Sequence, residues 1–144
     1  MADTYESIFP ERHVRYASFF DRFVAALIDG VLLWLIDLPL AWIIDDNIWG
    51  DSWYVNAISL TINLLYFALQ ESGPKQATLG KQAMRIHVTN LEGGRISLAQ
   101  GVGRYFARWV SALILFIGYF MMLWDNRKQT LHDKLANTLV VYGQ

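Results

Sequence analysis

The chain has 144 residues, 54% of them hydrophobic, 15% aromatic and only 17% charged, a balance displaced from the roughly 25% charge of soluble domains towards that of membrane proteins. Twelve Lys and Arg against thirteen Asp and Glu, a formal net charge of -1, exclude a strongly basic nucleic-acid binder, because no excess of cations is available to neutralise phosphates. The lack of cysteine excludes a disulfide framework, a cysteine nucleophile and thiolate-held metal sites.

Met1 to Pro10 is polar, so no cleavable signal peptide is expected there. The first long apolar run covers residues 23–44, about 22 residues, or roughly 33 Å as a helix. It is interrupted by Asp29, Asp37 and Pro39. Its Leu, Ile, Val and Phe residues favour insertion by roughly 4–8 kcal/mol, and each central aspartate opposes it by about 2.5–3.5 kcal/mol. Those terms nearly cancel, so the run inserts only if something in the bundle receives the carboxylates. A second run covers residues 53–69 and a third, shorter one residues 109–124. An amphipathic stretch from Ser97 to Arg108 leads into the third and is expected to share its helix. Residues 70–108 form a connection between them, punctuated by Gly73, Pro74 and Gly93-Gly94.

The cations are distributed unevenly. Arg12, Arg15 and Arg22 precede the first run; none lies in the acidic 45–52 loop; six lie in residues 70–108; and Arg127, Lys128 and Lys134 follow the third run. The positive-inside rule therefore places the N-terminus and the 70–108 connection in the cytoplasm and the acidic loop outside. A third full span would put the basic tail outside, in conflict with that rule. A segment that returns near Phe116–Gly118 removes the conflict. It also lets two strand-like stretches, Met84 to Thr89 and Thr138 to Tyr142, lie on one side and pair. Gly93-Gly94 further reads as a hairpin turn between Val88 and Ile96. The expected fold is a single all-α membrane domain over residues 1–144. It is a small helical bundle with two full spans, a third spanning or re-entrant helical segment, and a short cytoplasmic β-hairpin.

Helical spacing sorts the intramembrane polar groups into stripes. Asn56, Ser59, Asn63, Tyr66 and Gln70 share one face of the second segment; Arg104, Arg108, Ser111, Gly118 and Asp125 fall close to one face of the third. Arg22 and Asp29, seven apart, share a face of the first. Lipid cannot satisfy such groups, so the stripes should face each other. Asp29 lies about two turns inside the cytoplasmic boundary, and Arg104 and Arg108 are its expected partners. It handles protons or cations, forms a buried ion pair that fixes helix packing, or binds a partner. Asp37, just before the Pro39 kink, either contributes to a cation site or reaches the outer interface and its water. Catalysis is not indicated: His13, His87 and His132 share no metal-ligand spacing, and neighbouring His132 and Asp133 point about 100° apart on a helix. No cofactor is expected.

A set of motifs runs in order along the chain: Arg22 and Asp29 in "RFVAALID", "ATLGK" at Ala77–Lys81, "VTNLEGGRIS" at Val88–Ser97, Arg104, and "WDNRKQTLHD" ending at Asp133. With these residues the chain resembles the RDD family of bacterial membrane proteins, named for one arginine and two aspartates. The resemblance covers about residues 16 to 142, with Asn137 standing where the family usually has glycine. It implies a multi-span protein of the bacterial cytoplasmic membrane and adds Asp133 to Arg22 and Asp29 as positions to test, with Arg22 or Arg127 as its possible salt-bridge partner. Two functions are carried forward. One is a small oligomeric transporter of cations or another small ligand coupled to protons, with Asp29, Asp37, Asn63, Arg22, Arg104, Arg108 and Asp133 as pathway candidates. The other is a non-transporting scaffold or accessory subunit whose charges hold the fold or a partner. Either works with the lipid bilayer and with further copies of itself or a partner membrane protein.

Overall fold

The computed structural model describes residues 14–47, 49, 51–113 and 120–143. Helix α1 runs from Phe19 to Asp45, 27 residues, or about 40 Å at 1.5 Å per residue. Ser18 caps it by accepting from the Asp21 N–H at 3.2 Å, and Asp46 ends it in the left-handed conformation with φ 50. Pro39 is accommodated within the helix. Its buried residues are Ala25, Asp29, Leu33 and Ala41, one narrow stripe at helical spacing. Phe20, Leu27, Val31, Trp34, Trp42 and Ile43 all face outward. An exposed apolar surface of that extent is the opposite of a water-soluble amphipathic helix. Among the described residues, α1 is the one helix long and apolar enough to cross a membrane.

Helix α2 follows from Trp53 to Ser72. It covers the second predicted run but is more polar, and that is why a second full span is not established by length and composition. Its polar side chains are partly absorbed by its own backbone: Thr61 donates to the Ala57 carbonyl at 2.8 Å, and Asn63 to the Ser59 carbonyl at 2.7 Å. The chain then turns back into a short helix α3, Leu79–Ala83, capped by Thr78, which docks on α1.

Strand β1 (Ile86–Asn90) pairs antiparallel with β2 (Thr138–Tyr142), from Ile86 opposite Tyr142 to Asn90 opposite Thr138. Tyr16 bridges to Val141, so the segment before α1 lies along the other edge of β2. Ala17, Ala25, Ile86, Val88, Ile96 and Val140 form the buried apolar cluster between this sheet and α1. The two predicted strands therefore do pair. The predicted hairpin from Val88 to Ile96 does not form. Residues 90–94 make a turn closed on Asn90, but Ser97 and Gln100 then exchange side chain–backbone hydrogen bonds at 3.0 and 3.1 Å. This is a capping box, which starts a helix rather than a strand.

That helix, α4, runs from Leu98 to Leu113, joining the amphipathic stretch to the start of the third apolar run as expected. Gly101 lets it approach α2 closely, since a Cβ there would lie 3.0 Å from the Ala68 carbonyl oxygen. The predicted return near Phe116–Gly118 lies outside the described residues. A 3-10 turn at Met121–Leu123 and helix α5 at Leu131–Ala136 lead to β2. Between α5 and β2, Asn137 is left-handed, with φ 53, the conformation that glycine would adopt without strain.

Candidate functional site

Two clusters of polar groups gather where α1 begins and α2 ends. The first surrounds Asp29, which is 2% exposed. One carboxylate oxygen accepts from the Tyr66 hydroxyl at 2.6 Å and from the Gly80 N–H at 2.8 Å; the other accepts from the Thr78 hydroxyl at 2.6 Å. All three donors are neutral. The "ATLGK" segment explains the geometry residue by residue. Thr78 caps α3 and donates to Asp29, Gly80 leaves room for α3 against α1, and Lys81 points to the second cluster. The expected partners Arg104 and Arg108 are not the ones Asp29 has. They are held elsewhere, by a carboxylate that helical periodicity did not single out.

That carboxylate is Glu71, in the last turn of α2 and fully buried. It pairs with Lys81, with Arg104 Nε at 2.9 Å and with an Arg108 terminal nitrogen at 3.1 Å. Arg104, 1% exposed, turns its other side to Asp133 and the Thr138 hydroxyl. Asp133 in turn receives Arg22 from the first turn of α1, and the Thr130 N–H at 3.1 Å. The order Arg22–Asp133–Arg104–Glu71, branching to Lys81 and Arg108, alternates in sign and ties together α1, α5, α4, α2 and α3. Arg108 also lies over the Phe67 ring, 4.2 Å from its centroid, a cation–π contact. Of the two expected partners for Asp133, the structure shows Arg22.

Two of the pathway candidates lie outside both clusters. Asn63 is bonded within its own helix. Asp37 is half-buried, with one buried carboxylate oxygen that has no hydrogen-bond partner among the described residues. Glu71, Lys81, Thr78, Gly80 and Thr138 were missed as site residues. The available signals were the acid ending an otherwise uncharged helix and the "ATLGK" motif itself.

Burial alone would raise the Asp133 carboxyl, but the Arg22 and Arg104 guanidiniums hold it well below the ordinary 3.8. Burial pushes the His132 imidazole well below its ordinary 6.5, against the pull of Asp133. Burial also pushes Lys81 down to about 8, with Glu71 opposing. The first two shifts make a pH prediction. A carboxyl depressed by folding contributes stability above its unfolded pKa of about 3.9, and this is lost as pH falls. An imidazole depressed by folding is protonated first in the unfolded chain, so stability also declines below about pH 6.5. Thermal unfolding of the purified protein should therefore show Tm falling from about pH 6.5 downwards and more steeply below about pH 4. His132→Gln should remove the upper part of that decline; a Tm that rises between pH 7 and pH 5 would contradict the His132 assignment, and one that stays flat below about pH 4 the Asp133 assignment.

The profile of the RDD family matches residues 16–137, a stretch that contains every member of both clusters except Thr138. The chain belongs to the RDD family. The RDD family is membrane-associated, and here it is joined to an apolar helix long enough to cross a membrane. Of the three residues that the resemblance singles out, Arg22 pairs with Asp133, while Asp29 sits in its cage of neutral donors. Among similar proteins, the uncharacterized protein YxaI of Bacillus subtilis (strain 168) is 41% identical over 59% of this chain and 56% of its own length. The proline-rich antigen homolog of Mycobacterium tuberculosis (strain H37Rv) is 31% identical over 57% of this chain and 36% of its own. The chain thus spans about half or less of the curated relatives it matches. No solved structure matches it.

Proposed function

We propose that this RDD domain is a multi-pass module of the bacterial cytoplasmic membrane whose buried charges lock its helices to a cytoplasmic cap. In this reading it serves as a membrane scaffold or accessory unit and carries no ion pathway or catalytic site of its own. The supporting observation is the saturation of three fully buried carboxylates. Asp29, Glu71 and Asp133 each accept from three or more donors of the chain itself. A hard cation requires about six oxygen ligands, whereas these carboxylates are ringed by N–H and O–H donors. Location and orientation are part of the proposal. Arg22 and Lys75 bracket a stretch without Lys or Arg that contains nearly all of α1 and the whole of α2. This favours both helices crossing, with the N-terminus and the sheet in the cytoplasm. The match to a third of a longer mycobacterial chain suits a module that works beside other segments, further copies or a partner.

The second reading, proton-coupled transport of a cation or another small ligand by an oligomer, is favoured by Asp37. Its buried oxygen, without a partner among the described residues, lies two residues before Pro39, within α1. The two readings separate in proteoliposomes with Na⁺, K⁺ or Li⁺ gradients. The scaffold reading expects proton flux no greater than that of empty liposomes. It also expects Asp29→Asn to cost about 1–3 kcal/mol, because the amide faces one donor with another donor. Tyr66→Phe in the same protein should then add little, as for a coupled cage. Cation-driven flux abolished by Asp37→Asn at unchanged Tm would instead establish transport and overturn the scaffold reading.

A further inference from the structure

The cytoplasmic cap carries an open depression of about 530 Å³ between the segment before α3, α3 itself and the end of the sheet, lined by Lys75, Gln76, Gln82, Arg85, His87 and Gly143 among others. No Asp or Glu lines it. Most other described cations are committed: Arg22, Lys81, Arg104 and Arg108 to the charge layer, Lys134 to Asp125, Arg95 to the Ser72 carbonyl and Arg15 to the Tyr142 ring. Lys75 and Arg85 have no ion pair among the described residues.

The backbone around these two cations is held firmly. Gln76 and Arg85 are both left-handed, with φ 54 and 56. Gln76 exchanges bonds with Val88 at 2.7 and 2.9 Å, and the Arg85 carbonyl accepts from the Gly143 N–H at 2.9 Å. Fixed backbone carriers reduce the ordering cost of binding. An Arg fork and a Lys point charge lining one depression suit the oxygens of a phosphate group. Helix α3, which supplies Gln82, is also the helix docked on α1 through Gly80.

We propose that this depression binds a phosphate group, with Lys75 and Arg85 as its cationic ligands. The source is either an anionic lipid headgroup or soluble phosphate, and the test has an arm for each. The full chain is placed in nanodiscs of phosphatidylcholine alone or of an equal mixture with phosphatidylglycerol. Retained phosphatidylglycerol is read by mass spectrometry of the intact complex, and inorganic phosphate binding is read by calorimetry in the phosphatidylcholine discs. Binding in at least one arm is expected, and the source is whichever arm shows it. A cation beside an anionic surface is worth a factor of roughly five, so Lys75→Gln with Arg85→Gln should weaken binding roughly 25-fold. Arg127→Gln with Lys128→Gln removes the same charge elsewhere on the cap and should leave binding unchanged. Lys75→Arg with Arg85→Lys should retain it, which separates loss of charge from loss of fold. No binding in either arm, or an equal loss in the Arg127/Lys128 variant, overturns the proposal.

Discussion

Arg104→Gln is expected to leave little or no folded protein. The side chain is 1% exposed and joins Glu71, Asp133 and Thr138 from three different elements. Removing the guanidinium strands two buried carboxylates against each other's remaining partners, and breaking a buried ion pair from one side costs about 3–5 kcal/mol. A loss of that size takes much of the roughly 5–15 kcal/mol that holds a domain together. Arg104→Lys should rescue only weakly, because a single ammonium cannot reach both carboxylates in the way a planar fork does. Arg22→Gln should cost less, since Asp133 keeps Arg104 and the Thr130 N–H. Monodisperse yield in detergent and Tm are the readouts, and a wild-type Tm for Arg104→Gln would show that the charge layer does not hold the fold.

Gly80→Ala should be nearly as damaging for a steric reason. A Cβ at Gly80 would lie 2.1 Å from the Ala25 carbonyl oxygen and 2.9 Å from the Asp29 carboxylate. The Ala25 oxygen belongs to the backbone of α1, so it cannot turn aside as the end of a side chain would. Helix α3 must then move off α1, taking the Thr78 and Gly80 donors from Asp29 and Lys81 from Glu71. Overpacking together with the lost hydrogen bonds should cost about 3 kcal/mol or more. Gly103→Ala supplies the comparison. Nothing lies within 4 Å of a Cβ there, in the interior of α4, and the gain in helix propensity should raise stability by up to about 1 kcal/mol. Equal thermal unfolding for both variants would remove the close approach of α3 as a cause.

Much of this architecture was legible in the residues. Apolar runs located α1, α2 and the last turn of α4, because a long uninterrupted apolar stretch is most readily accommodated as a helix. Alternation and β-branched residues located β1 and β2, and their pairing followed once both were placed on the same side. The left-handed conformation of Asn137 agrees with its standing where the family usually has glycine. The turn at Asn90–Gly94 was legible too. The start of α4 was legible in the amphipathic stretch from Ser97, whereas the return strand through Ile96 did not form.

The sequence by itself determined which groups had to be satisfied: Asp29 lies on a helix too apolar to leave a charge without partners, and Arg104 and Arg108 share one face of the amphipathic stretch that leads into the third apolar run. Helical periodicity sets the face on which a side chain stands, but not its height relative to a neighbouring helix. Arg104 and Arg108 were therefore assigned to Asp29 on face alone. Only the tertiary structure decided the partners, because residues 73–83 fold back against α1. This fold brings Thr78 and Gly80 to Asp29 and frees both arginines for Glu71. Partner choice among buried charges is a matter of distances of a few ångströms between elements far apart in the chain, and the packing of α3 against α1 sets those distances.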